Sequence, residues 1–386
     1  MKEPKNPFIV TGRIPADYFC DREQETNKLV HSITNDNNMV LVSPRRMGKT
    51  GLLFHTFDCL EVSQNYYTFF IDILHTTSLR EFSYLLGRHI YETLLPRSKR
   101  MIASFLSAVQ SLSTKFGIDP IQGTPTFSLE LGDIVHPELT LEEIFNYLEH
   151  ADMPCVVAID EFQQIAKYPE KNVEALLRTH IQRMSNVHFI FAGSEFHVIQ
   201  KMFASTSRPF YNSADMMELQ AIDKEVYTQF VVSLFESRGR SIDPVLVGVV
   251  YDAMSGNTYA MQKIMNEAYS HIDEGESCDL QTLNEAAIEV VESKKPLFRE
   301  MLSNVPERHK PLLAAIAADV HVTQPTSLKF MRSHKLTTAS AVQNSLRYLI
   351  DNGFVMRLRG VYSIVDEFFR MWVDSVYGSG MGLLKN

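Results

Sequence analysis

Met39-Val40-Leu41-Val42-Ser43-Pro44-Arg45-Arg46-Met47-Gly48-Lys49-Thr50-Gly51 is the stretch on which the fold turns. Four consecutive apolar residues fit a short buried strand, and a helix is expected to begin at Gly48. A loop between strand and helix that closes on Gly-Lys-Thr has the sequence form of a phosphate-binding loop. Backbone N–H groups at a helix N-terminus point at an anion there, and the helix dipole favours negative charge. Gly48 permits close backbone approach, Lys49 would reach β- and γ-phosphates, and the Thr50 hydroxyl would bind Mg²⁺. Ser43 stands where such loops usually begin with glycine, a substitution that backbone sterics allow if its φ is negative. Ser43 to Gly51 are therefore the expected nucleotide contacts.

The next informative stretch lies downstream. Cys155 to Ile159 is a continuous apolar run that ends on Asp160-Glu161. Tyr66 to Ile73 and Val187 to Ala192 also read as strands, and the segments between carry helical patterns. Strands alternating with helices predict the α/β class: a parallel sheet with crossover helices. Ligands of such sheets bind outside the carboxyl ends of the strands. Asp160 would hold Mg²⁺ through its water shell, and Glu161 would polarise the attacking water as a general base. Ser194, after the Val187 strand, is either a hydrogen-bonding partner of that water or the γ-phosphate, or an ordinary strand-to-loop serine. Arg208 is either a γ-phosphate ligand, in its own chain or a neighbouring subunit, or a surface arginine before a proline-fixed turn. Arg178 and Arg183 are weaker alternatives. Tyr18 and Phe19 could stack on adenine or pack in the core.

Further helices are expected over Asp21–Thr34, Ser78–Leu95, Ser98–Phe116, Asn172–Met184, Asp223–Gly239, Asp243–Ser255, Tyr259–Ile272 and Leu280–Leu297. Another is expected over Thr140–Glu149, with Thr140 as its cap and Glu143 completing a capping box. A loop or small hairpin is expected around Thr126–Leu131. From about Pro306 the plan changes to helix (Arg308–Asp319), helix (Gln324–Ser333), helix (Ala339–Asn352) and a two-strand wing about Gly360. That is the winged-helix arrangement, a helix-turn-helix variant. Gln343, Asn344 and Arg347 face outward on the third helix. Lys329, Arg332, Lys335, Arg357 and Arg359 surround it, a local basic excess of the kind DNA binding needs. The competing reading is a packing or protein-interaction domain.

The formal net charge of −9 argues against a protein that coats nucleic acid over its whole surface, so any such contact must be local. The four cysteines lack metal-clip or CxxC spacing and read as reduced, buried thiols. The N-terminal residues lack the apolar core of a signal peptide, and no run reaches membrane-spanning length. A cytoplasmic, non-membrane protein is expected.

Together FCDREQE (19–25), SPRRMGKT (43–50), VVAIDEF (156–162), FIFAGS (189–194) and SGNTYAMQ (255–262) resemble the AAA+-related P-loop ATPases of the STAND and archaeal-ATPase type, close to Orc/Cdc6-like replication initiators. The resemblance implies a three-layer α/β core (1–220), a helical lid (221–300) and a winged-helix domain (301–386). It makes Ser194 a sensor-like residue and sets Gly256-Asn257-Thr258 at the start of a lid helix. Thr258 replaces the proline of many relatives, and Asn212-Ser213 follows Tyr211 where an arginine is familiar. The implied activity is an ATPase switch using Mg²⁺ and ATP, which acts through a protein partner or self-association. The alternatives are a DNA-binding ATPase and a nucleotide-bound adaptor with negligible turnover.

Overall fold

The computed structural model describes residues 4–96, 99–111, 116–118, 125–127 and 134–378. Two compact units are present: Arg22–Pro44 with Gly48–Gln220, and Met1–Asp21 with Arg45–Met47 and Ala221–Asn386.

The first unit is an open parallel sheet with helices. Its elements are α1 (Glu23–Thr34), β1 (Met39–Val42), α2 (Lys49–Asp58), α3 (Leu60–Ser63), β2 (Tyr67–Asp72), α4 (Leu79–Leu94), α5 (Lys99–Ala108), β3 (Phe116–Ile118), β4 (Pro125–Phe127), α6 (Pro137–Glu149), β5 (Cys155–Asp160), α7 (Val173–Ile181), β6 (Val187–Gly193), α8 (Phe196–Ala204) and β7 (Asp215–Glu218). The sheet order is β2-β5-β6-β1-β7, with every neighbouring pair parallel. All residues of β1, β5 and β6 are buried, which is why their sequences are uninterrupted apolar runs. Edge strand β7 buries only Met217 and therefore carries no such signal. Phe162, Phe191, Phe203 and Phe210 pack together in the core, with ring centroids 4.5–5.9 Å apart.

Several local expectations need correcting. Helix α6 begins at Pro137 after His136, so Thr140 is interior and buried, and its hydroxyl donates to the His136 carbonyl at 3.2 Å. Proline at the first helical position pre-sets the backbone and starts the helix earlier than a threonine cap would. Glu143 accepts from the Ser111 backbone N–H at 3.0 Å instead of closing a capping box. Helix α5 ends at Ala108 rather than Phe116, because Phe116 opens a strand that pairs antiparallel with β4. The hairpin expected around Thr126–Leu131 thus pairs residues 116–118 with 125–127, and residues 128–131 lie outside the described residues.

The second unit contains α9 (Lys224–Glu236), β8 (Ser241–Ile242), α10 (Pro244–Ala253), α11 (Thr258–Ser270), β9 (Ser277–Cys278), α12 (Leu280–Ser303), α13 (Lys310–Asp319), α14 (Leu328–Ser333), α15 (Ala339–Asp351), β10 (Val355–Leu358), β11 (Val361–Ile364) and α16 (Glu367–Tyr377). Helix α12 runs through Pro296 to Ser303, beyond the expected Leu297. Helix α14 starts at Leu328, four residues after the expected Gln324, because the Ser327 hydroxyl caps it by accepting from the Phe330 N–H. Gly353, at φ 73°, closes α15. The wing turns on Arg359-Gly360, whose φ values of 49° and 84° suit a two-residue hairpin of the primed type. Helix α16 was not foreseen. It buries Phe368, Phe369 and Trp372, and Phe298 of α12 packs against the latter two at 5.6 and 6.0 Å.

Candidate functional site

The parallel topology sets the ends of β1, β5 and β6 on one edge of the sheet, and the side chains of interest come from that edge. The loop after β1 has its left-handed backbone at Arg46 (φ 67°) and Gly48 (φ 92°), while Ser43 is absent from the positive-φ residues. Ser43 is fully buried, with its N–H donating to the Gly193 carbonyl at 3.3 Å and its hydroxyl to Pro44 O at 3.0 Å. Serine therefore fits at the position where glycine is usual.

Lys49 opens α2 and is only 7% exposed. The next residue, Thr50, donates from its hydroxyl to Asp160 Oδ2 at 3.0 Å. Asp160 is 5% exposed and ends β5, and its Oδ1 accepts the Glu161 N–H at 2.9 Å. Burial pushes the Asp160 carboxyl above its ordinary range. The Lys49 charge opposes that, Glu161 adds to it, and the bonds from Thr50 and the Glu161 N–H oppose it. A buried carboxylate and a hydroxyl on adjoining elements form an all-oxygen donor set of the type Mg²⁺ accepts. A cation there would offset the cost of keeping Asp160 ionised.

Glu161 has a left-handed backbone, φ 56°, which costs a non-glycine residue roughly 1–2 kcal/mol. Its Oε2 accepts from the Ser194 hydroxyl at 2.7 Å and from the Gln163 amide. Ser194 and Glu161 are thus brought together. Gln163 was missed in the sequence. It is 2% exposed, and its Oε1 sits where a Cβ on Gly193 would come within 2.3 Å. A side chain at position 193 would therefore displace the Gln163 amide as it stands beside Glu161. The only sequence signal was the proximity of Gln163 to the Asp-Glu pair.

The remaining residues are distributed as follows. Arg208 pairs with Glu174 of α7, whose carboxyl is raised by burial and lowered by Arg208. Arg178 donates to Gln182 at 2.7 Å. In the second unit, the Tyr18 hydroxyl accepts from Arg238 at 3.1 Å. Gln343, Asn344 and Arg347 are exposed on α15, as are Arg357 and Arg359 on the wing, and the Arg357 guanidinium lies 5.4 Å from the Tyr362 ring centroid.

With this geometry in place, comparison with known families is direct. The model of an ATPase domain predominantly from Archaea matches residues 19–264, and a probable winged helix domain matches residues 296–375. The chain belongs to this ATPase family. It is an ATP-binding, ATP-hydrolysing P-loop protein of the AAA+-like kind with a C-terminal winged helix, as the motifs implied. No curated protein matches the chain. Among solved structures, a Walker-type ATPase of Pyrococcus abyssi is similar, with TM-score 0.65, 17% identity, and 95% of this chain and 99% of that one covered. The Aeropyrum pernix ORC2 protein, solved as ADPNP–ADP complexes, gives TM-score 0.53 at 12% identity over 96% of each chain. The ORC1 protein of the same organism, solved in complex with DNA, gives 0.51 at 13% identity over 97% of each. At these identities the likeness concerns the fold. Among the described residues, no helix is long and apolar enough to cross a membrane.

Proposed function

We propose that the chain is a Mg·ATP-dependent molecular switch whose nucleotide site is the loop Ser43–Gly51 together with Asp160 and Glu161. The observation that carries this reading is the Thr50–Asp160 hydrogen bond of 3.0 Å beside a buried Lys49. In the proposed arrangement the Thr50 hydroxyl and Asp160 would hold Mg²⁺, which when bound would supply neutralising charge to the phosphates. Lys49 binds the phosphate oxygens, and the loop N–H groups preceding α2 orient them. Glu161 takes a proton from the attacking water at its carboxylate, and Ser194 and Gln163 hold that carboxylate in place. We assign residues 1–220 to the ATPase core, 221–300 to a lid and 301–386 to the winged-helix domain. Differential contacts of the loop with ATP and ADP supply the switching energy.

A second reading has its own support. Exposed Gln343, Asn344 and Arg347 on α15, with Arg357 and Arg359 on the wing, form a polar, basic face suited to duplex DNA. A relative of the same fold was solved with DNA. One experiment separates the readings: the ATPase rate with and without duplex DNA, beside light scattering with ADP or a non-hydrolysable ATP analogue. The switch reading expects nucleotide-dependent assembly without DNA, whereas the DNA reading expects a DNA-dependent rate. Failure of both, with nucleotide retained and no phosphate released, would make the protein a nucleotide-bound adaptor.

A further inference from the structure

Three residues of the phosphate loop, Arg45–Met47, group with the second unit rather than with the sheet. The contacts responsible are specific. The N–H of Tyr259, in the first turn of α11, donates to the Arg46 carbonyl at 3.1 Å. The Thr258 hydroxyl donates to the Met47 carbonyl at 3.3 Å. The Arg46 guanidinium lies 4.9 Å from the Tyr259 ring centroid and is ion-paired to Asp366 Oδ2. Asp366 Oδ1 is occupied separately, capping α16 by accepting the N–H groups of Phe368 (2.9 Å) and Phe369 (3.0 Å). One carboxylate thus caps a winged-helix element with one oxygen and holds the phosphate loop with the other.

Arg46 has φ 67°, a left-handed conformation unfavourable for a non-glycine residue. Such a backbone persists only where its surroundings over-determine it. Here two loop carbonyls are drawn onto α11 while the side chain is held by Asp366 and Tyr259. Turning consecutive carbonyls toward α11 commits the peptide planes of the loop and so orients its N–H groups.

We propose that Asp366 is a positioning residue for nucleotide binding: through Arg46 it pre-organises the phosphate loop, so the C-terminal helix of the winged-helix domain sets ATP affinity. The inference rests on the proposed nucleotide site at Ser43–Gly51. Asn is as good a helix cap as Asp, so Asp366→Asn keeps the α16 cap and removes only the charge. A half-exposed ion pair is worth about 0.4–1 kcal/mol, the upper part of the range for such pairs, so Asp366→Asn is expected to weaken Mg·ATP and Mg·ADP binding about two- to fivefold.

The test is calorimetric titration of the full chain with Mg·ATP and Mg·ADP, beside steady-state kinetics. Expected are a raised Kd and KM for Asp366→Asn, kcat at saturation within about twofold, and recovery in Asp366→Glu, which restores the charge. Unchanged or tighter binding in Asp366→Asn, a defect confined to kcat, or equal loss in Asp366→Glu would overturn it. Lys49→Ala is the control. If it abolishes binding while Asp366→Asn is silent, only this inference fails; if it leaves binding intact, the nucleotide-site reading itself fails.

Discussion

The nucleotide edge of the sheet and the outer face of α15 both carry charged and polar groups, but under opposite dielectric conditions. Lys49 and Asp160 are 7% and 5% exposed, and Asp160 is held above its ordinary pKa by burial. Arg347, Arg357 and Arg359 are solvated. In the first setting each charge interacts strongly and each lost partner leaves a desolvated group; in the second, water and salt screen every contact. On the proposed reading, chemistry belongs to the buried edge, and the exposed face suits reversible, salt-sensitive association.

The largest test of that contrast is at Glu161. Glu161→Gln should retain ATP while kcat falls about 10²–10⁴-fold, the range for loss of a general base. Turnover at the parent rate in a phosphate-release assay would remove Glu161 from the chemistry.

At the exposed face, effects should be smaller and ionic. If duplex DNA binds, Arg347→Ala with Arg357→Ala should weaken it and reduce the slope of log affinity against log salt by about two. Gel-shift titrations across salt concentrations that give superimposable lines for parent and variant would break the DNA assignment.

The smallest expected effect lies beneath that face. His309 is buried against Tyr348, with rings 4.4 Å apart, and donates from Nδ1 to the Ser345 hydroxyl at 2.9 Å, because its Nε2 accepts from Arg308 Nε at 3.1 Å. Burial first, then Arg308, lowers its pKa. The neutral ring is thus favoured when folded, and the unfolded chain binds the proton more readily. Stability should be complete above the unfolded value of about 6.5 and should decline as pH falls through the lowered folded value. Thermal melts against pH should show this decline flattened in His309→Gln; identical profiles would contradict it.

How much of this was legible in the sequence depended on burial and on sequence distance. Strands β1, β5 and β6 announced themselves because both faces are covered. Strand β7 did not, since Asp215 and Glu218 flank a single buried methionine at the sheet edge. The placement of Lys49, Thr50, Asp160 and Glu161 was readable because each lies where an element begins or ends and the parallel sheet fixes the direction. Gln163 was not, because its role depends on the absence of a side chain on Gly193. The Arg46–Asp366 pair spans 320 residues, and no local pattern encodes such a meeting. Arg208 was open between a γ-phosphate ligand and a surface arginine, and its pairing with Glu174, 34 residues away, is equally illegible in a local pattern.

Thr50 and Asp160 are proposed to converge on one Mg·ATP, and a double-mutant cycle measures this directly. Steady-state ATP hydrolysis would be compared for Thr50→Val, Asp160→Asn and the double variant under saturating Mg²⁺. Groups that act as a unit are strongly non-additive, so the double variant should be no slower than the worse single one. Losses that simply multiply would show that the two side chains act independently and would contradict a shared metal site.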